Sequence, residues 1–273
     1  MRRHTLLTLP EFSLERITNA PRKKPTTMTD RIERERQFHN EIFAEGARVP
    51  LDKYYRTTRA ATQYFESILD RFRHGNRVLE YGCGQGSYSY RLARNGAHVA
   101  AFDLSDVAVL KALDRQRAEN PGQLSFAQMN AEHLGFASAT FDLVCGVAIL
   151  HHLDLKQALS EISRVLRPGG IAAFLEPLGH NPLINLYRTL TPRMRSEDEH
   201  PLLMSDLDFA RQQFADVDLR FFSLATLAAV PFVKTRGFET VLSAAEAVDR
   251  GILSTPLRRF AWQTVIVLKK SQQ

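Results

Sequence analysis

The sequence predicts a doubly wound, mostly parallel α/β sheet, with helices ahead of it and a helical insert near its C-terminus. Three observations predict this class. Short apolar runs alternate with amphipathic helical stretches between residues 77 and 175, and such β-α repeats with short connections build parallel sheets. The first run passes directly into a glycine-rich turn and then a helix. The chain has 273 residues, 44% of them apolar and 24% charged, an ordinary globular mix able to bury a large core.

Taken in order, residues 1–27 hold Pro10, Pro21 and Pro25 without sustained periodicity and read as a poorly ordered basic tail. Met28 opens a more regular stretch and is a second possible start. Residues 28–75 read as helical. Phe38, Ile42 and Phe43 recur at helical spacing, and Tyr64, Phe65, Ile68, Leu69 and Phe72 form the apolar face of a run from Tyr54 to Phe72. The charged residues Arg31, Arg34, Arg36, Glu33, Glu35 and Glu41 are expected to form a solvated helix face, with His39 a minor site candidate.

From residue 76 to residue 273 the sheet domain follows. RVLEY (77–81), VAAFD (99–103), residues 124–128, FDLVCGV (141–147) and residues 171–175 read as strands. Helices are expected over 87–95, from Ser105 as cap to about 118, and over 155–166, the last stopped by Pro168-Gly169-Gly170. Helices over 184–190 and 206–214 and strands over 217–223 and 263–268 complete the pattern. Between the last two strands, about 224–259, lies a mostly apolar helical insert. It suits a lid, a dimer face, a lipid-facing surface or plain core.

The densest chemical signal is E-x-G-x-G-x-G at Glu80, Gly82, Gly84 and Gly86. Glycines permit a tight turn and close approach of a ligand to the backbone, and the helix behind points its first amides at that ligand. The final glycine falls one residue earlier than in a dinucleotide loop. A carboxylate at Glu80 would repel a pyrophosphate and suit a positive amine. No G-K-[ST] follows, so a nucleoside triphosphate loop is excluded. The second strand ends in Asp103, placed to accept ribose hydroxyls; Leu104 can lie against a base. Asn130, Ala131 and Glu132 follow the third strand, with a side-chain oxygen at Asn130 for an exocyclic amine. A structural turn, or a loop for another cofactor, is the competing interpretation.

With Phe141-Asp142-Leu143-Val144, Leu150-His151-His152-Leu153 and Leu166-Arg167-Pro168-Gly169-Gly170, these elements resemble the class I S-adenosylmethionine-dependent methyltransferases, in particular the small-molecule, ubiquinone/menaquinone-biosynthesis branch. The resemblance implies a Rossmann-like fold, S-adenosyl-L-methionine as cofactor and a small-molecule methyl acceptor. It implies contacts from Glu80, Gly82, Gly84 and Gly86 to the methionine part, from Asp103 and Leu104 to the nucleoside, and from Asn130, Ala131 and Glu132 to the adenine. Tyr54, Tyr55 and Arg59 resemble a covering-helix pattern in which an aromatic closes over the cofactor, and Tyr55 is carried over in that role. Family members join their last two strands by a short turn, which the insert replaces here.

A hydroxyl acceptor needs a proton acceptor. Sites in such sheets lie beyond the carboxyl ends of the strands, where His180 in E-P-L-G-H-N-P is the first candidate and His151 the second. Their structural alternatives are loop stabilisation for His180 and helix capping around Asp154 for the His151-His152 pair. No metal ion is expected, because consecutive histidines rarely aim at one ion.

The chain carries a formal +6, but four of those six charges fall in residues 1–27, so no dense basic face and no nucleic-acid partner are expected. No run reaches the roughly 18 apolar residues that would span a membrane. Cys83 and Cys145 alone form no disulfide framework, which suits a cytoplasmic setting. The expected function is methylation of a secondary metabolite or lipid-like compound, on oxygen; the alternatives are an RNA methyltransferase and a non-catalytic cofactor-binding module.

Overall fold

Along β1 (Arg77–Tyr81), Val78 faces one hydrophobic cluster while Leu79 and Tyr81 face another. Strand β4 (Phe141–Val147) alternates likewise: Leu143 and Cys145 go one way, Val144 the other. A strand whose two side-chain rows are both apolar must be covered on both faces. The computed structural model, which describes residues 28–45, 56–192, 195–196 and 198–272, shows that covering.

The sheet has seven strands in the order β3-β2-β1-β4-β5-β7-β6. The other strands are β2 (His98–Asp103), β3 (Leu124–Gln128), β5 (Leu166–Pro177), β6 (Asp216–Phe222) and β7 (Gln263–Lys269). Pairings among β1 to β5 are parallel, whereas β7 runs antiparallel to both β5 and β6. The reversed final pair thus survives the insert. Helices α2 (Arg59–Leu69) and α3 (Ser89–Arg94) supply Phe65, Leu69, Tyr90 and Leu92 to one face. Helices α5 (Leu155–Val165) and α7 (Met204–Gln213) supply Leu159, Ile162, Leu207 and Ala210 to the other. Helices α1 (Met28–Glu45), α4 (Asp106–Glu119), α6 (Pro182–Leu190) and α8 (Phe238–Ile252) complete the set described.

Caps fix several helix starts. The Ser105 hydroxyl accepts from Ala108 N at 3.1 Å, and Asp154 accepts from Lys156 N and Gln157 N at 3.1 and 3.2 Å. Asn181 accepts from Leu183 N and Ile184 N ahead of α6, with Pro182 as first helical residue.

Strand β5 begins five residues earlier than expected. Phe141 pairs with Leu166 and Leu143 with Ile171, so residues 167–170 bulge out and the Pro-Gly-Gly turn is absorbed inside the strand. The insert forms a 3₁₀ turn (Ala225–Phe232), α8, and a second 3₁₀ turn (Pro256–Phe260). Ala229, Val233, Phe238 and Leu242 make a small core of their own. Arg59 ties the insert to α2 through Glu239 and Glu246, at 2.6 and 2.7 Å. The tail 1–27 lies outside the described residues.

Candidate functional site

The turn after β1 is shaped by backbone geometry. Gly82 has φ +69°, and a Cβ there would fall 2.7 Å from the Ile149 side chain. Cys83 N donates to Phe102 O at 2.8 Å, and the amides of Gly86 and Ser87 both donate to Cys83 O. Glu80 is buried and does not face the ligand space, contrary to expectation. Its carboxylate accepts from Tyr88 N at 2.9 Å, Ser89 N at 2.8 Å and the Ser89 hydroxyl. A strand residue that caps the next helix's first amides fixes the turn between them. Gly86 also stands back from the cavity: a Cβ there would strike the Tyr90 ring at 2.4 Å, so this glycine serves helix packing.

Beyond this turn, at the carboxyl ends of β1, β2 and β4, is a cavity of about 370 Å³. Gly82, Gly84, Asp103, Leu104, Asn130 and Ala131 line it. Asp103 Oδ2 accepts from Gly84 N at 2.7 Å and Oδ1 from Ser105 N at 2.9 Å. Two backbone donors pin the carboxylate, and each oxygen keeps lone-pair capacity for a ligand hydroxyl. Asn130 Oδ1 accepts from Glu132 N at 3.0 Å, which orients the amide at the cavity wall. Glu132 itself is turned away: it is buried and accepts from Asp154 N at 2.7 Å and from Arg31 Nη2 at 2.5 and 2.6 Å.

Helix α1 closes the cavity with Arg31, Ile32, Glu35, His39, Ile42 and Phe43. Its charged face is therefore docked, not solvated as expected. Arg31 also donates to His152 O at 3.1 Å, and Arg34 pairs with Asp198 at 2.8 Å. The Arg36–Glu33 pair and the exposed Glu41 match the expected solvated face, although Arg36 also reaches Asp106 on α4 at 3.3 Å. Because the Glu132 side chain has no exposure, removing its partner strands a buried charge, a loss of about 3–5 kcal/mol in comparable pairs. Arg31→Ala is accordingly expected to undock α1, seen as faster hydrogen exchange across 28–45 with unchanged exchange in the β4 amides. Unaltered exchange in α1 would refute the clamp.

The structure redistributes the histidine roles. His180 lines no part of the cavity; its Nε2 accepts from Met204 N at 3.2 Å and stabilises the loop before α7. His151 is buried, with Nδ1 2.8 Å from Glu176 Oε2, and is also absent from the cavity wall. Glu176 further accepts from Ile149 N and Leu150 N, both at 2.9 Å. Burial pushes the Glu176 carboxyl up to about 7 and the His151 ring well below its ordinary value. The pair braces the 3₁₀ turn (Leu150–His152) against β5. Tyr55 lies outside the described residues.

His152, unlike His151 and His180, lies on the cavity wall, where it faces Glu35 and His39 from α1. Burial alone would raise the Glu35 carboxyl, but the facing His152, His39 and Ser196 side chains hold it below the ordinary range. Residues 31, 35, 39 and 42–43 recur one turn apart, a stripe visible in the sequence but hidden because it mixes charged and apolar types. Ala148, at φ +53°, turns the chain out of β4 toward Ile149.

Residues 79–174 match a family described as a methyltransferase domain. The O-methyltransferase rstn1 of Aspergillus nomiae is 30% identical over 172 residues, 59% of this chain and 74% of that protein. The chain belongs to the S-adenosylmethionine-dependent methyltransferases. The malonyl-[acyl-carrier protein] O-methyltransferase of Enterobacter lignolyticus is 39% identical over 99 residues, 36% of this methyltransferase and 38% of that protein. The ubiquinone biosynthesis O-methyltransferase of Aeromonas salmonicida is 36% identical over 114 residues, 40% and 45% of the two chains. The match thus spans less than half of each of these two relatives. A phosphoethanolamine N-methyltransferase of Haemonchus contortus, solved with S-adenosylhomocysteine, superposes with a TM-score of 0.57 at 20% identity, over 77% of this methyltransferase and 53% of that chain. That likeness establishes the fold. The cofactor is S-adenosyl-L-methionine. Among the described residues no helix is long and apolar enough to cross a membrane.

Proposed function

We propose that this methyltransferase transfers the cofactor's methyl group to an oxygen of a small-molecule acceptor. The observation that carries this is the cavity itself: its volume suits a small ligand, and helix α1 lines one side of it. The O-methyltransferases among its relatives support oxygen as the receiving atom.

The residues present fit the cofactor. The turn has backbone where a Cβ would collide, and Asp103 is held by two amides. In this proposal Asp103 accepts the ribose hydroxyls, Leu104 lies against the base, and Asn130 and Ala131 meet the adenine edge. Gly82 and Gly84 let the backbone approach the methionine part, while Glu80 acts indirectly by holding the turn. The cofactor supplies a sulfonium methyl that an in-line nucleophile displaces. The protein's task is to align the acceptor, exclude water through α1 and take the hydroxyl proton. His39 and His152 are the cavity-lining groups suited to that last step.

His152→Ala is expected to lower turnover about 10²–10⁴-fold, the range for lost proton transfer, while S-adenosylhomocysteine affinity changes far less. Equal turnover would remove His152 from the chemistry. The overall assignment is tested with S-adenosylmethionine tritiated in its methyl group and a fractionated extract. Label in an extractable small molecule supports it. Label confined to RNA, or cofactor binding without any transfer, would replace it with one of the two alternatives.

A further inference from the structure

Glu35 is 3% exposed and His152 9%, yet neither Glu35 oxygen nor His152 Nδ1 has a partner in hydrogen-bond geometry. The His39, His152 and Ser196 side chains beside Glu35 lie close to its oxygens but out of hydrogen-bond alignment, which leaves the buried charge only partly compensated. The atoms around it are donors to a cation. Glu35 Oε2 lies 3.2 Å from His152 Nδ1 and 3.4 Å from His39 Nε2, and all three ligand atoms fall within 4.8 Å of one another. For metal bonds of about 2.0–2.1 Å in a tetrahedron, neighbouring ligand atoms stand roughly 3.3 Å apart. The separations from the Glu35 oxygen match that spacing and miss hydrogen-bond alignment. We propose that Glu35, His39 and His152 form a binding site for a divalent cation of the zinc class.

The donor chemistry points to that class. Two imidazoles and one carboxylate suit zinc and its neighbours better than magnesium or calcium, which prefer all-oxygen sets. Three protein ligands leave a fourth position, and all three residues line the cavity, so that position opens toward the acceptor space. Glu35 and His39 sit one helical turn apart on α1, whereas His152 belongs to the turn after β4. A bound cation would therefore fasten the covering helix to the sheet. A second set, His151, His152 and Glu199, is less suited: Glu199 is already paired with Arg188, and His151 Nδ1 is taken by Glu176. The site stands on its own geometry and holds whether or not the cavity performs methyl transfer.

The test is optical titration of the full chain with Co²⁺, with equilibrium dialysis against Zn²⁺. One equivalent is expected, with the intense visible absorption of four-coordinate Co²⁺ and slower proteolysis within residues 28–45. Glu35→Gln and His39→Gln are each expected to weaken binding at least tenfold, with circular dichroism and thermal melting confirming folded variants. Should Glu35→Gln not fold, the native titration and His39→Gln decide. A native chain without stoichiometric four-coordinate Co²⁺, or uptake unchanged in the folded variants, overturns the site. S-adenosylhomocysteine binding by the same native preparation is measured separately, so failure of the cation site is not confused with failure of the cofactor assignment.

Discussion

Glu80→Ala is expected to abolish measurable S-adenosylhomocysteine binding, a loss of more than 100-fold by calorimetry, although Glu80 touches no part of the cavity. The carboxylate is the common acceptor for Tyr88 N, Ser89 N and the Ser89 hydroxyl. Deleting it orphans three donors, each costing about 1–3 kcal/mol when buried. The turn carrying Gly82 and Gly84 is strung between β1 and those donors, so its geometry fails before the sheet does. Near-native affinity in Glu80→Ala would refute this bracing. The same residue makes a pH prediction. Burial pushes its carboxyl up to about 7, against the Ser89 and Tyr88 donors and with Asp103 adding to the rise. The folded state then holds a proton that the unfolded state has released, between the unfolded carboxyl value near 4.3 and about 7. Stability from Glu80 is full below that window and falls as pH rises through it. Relative to Glu80→Gln, the wild type is expected to lose on the order of 3 kcal/mol across the window, measured by denaturant unfolding at stepped pH. A rising difference would contradict the assignment.

How much of this was legible in the sequence depends on whether the signal was local. Strands β1, β3 and β4 run from the residues expected; β1 and β4, buried on both faces, read as apolar runs with sharp ends. The Ser105 and Asp154 caps were readable for the same reason: a cap is a contact within three residues. Strand β5 was read short because Pro168-Gly169-Gly170 looks like a terminator, and only pairing with β4 shows the turn carried as a bulge. The cavity floor was legible through Gly82, Gly84, Asp103 and Asn130, whose spacing follows the strand ends. Its roof was not. Arg31 and Glu35 resemble a solvated face until Glu132, 101 residues from Arg31, and His152 are brought against them. The histidines failed similarly. Sequence offers His180 and His151 as proton acceptors beyond the strand ends, whereas folding engages the first with Met204 N and buries the second against Glu176.

Asp103→Ala is expected to reduce cofactor affinity about 10- to 100-fold, by a different route from Glu80→Ala. Asp103 holds Gly84 N at 2.7 Å and Ser105 N at 2.9 Å, one on each side of the cavity floor. Hydrogen bonds to charged groups are worth about 1.5–3 kcal/mol each, and removing the carboxylate also deletes the proposed acceptor for the ribose hydroxyls. Two amides then lose their partner at the base of the ligand space. Asp103→Asn separates the two contributions. Its amide keeps one acceptor oxygen but offers N–H where a second acceptor stood, so one backbone amide stays held and the other faces a donor. Calorimetry is expected to rank affinity as wild type, then Asn, then Ala, with the full loss only in Ala. A 2′-deoxy analogue of the cofactor product supplies the decisive cycle: if Asp103 binds the ribose, its penalty against the wild type should largely vanish against Asp103→Ala. Equal penalties in both proteins would leave Asp103 as a brace of the turn and assign the ribose elsewhere.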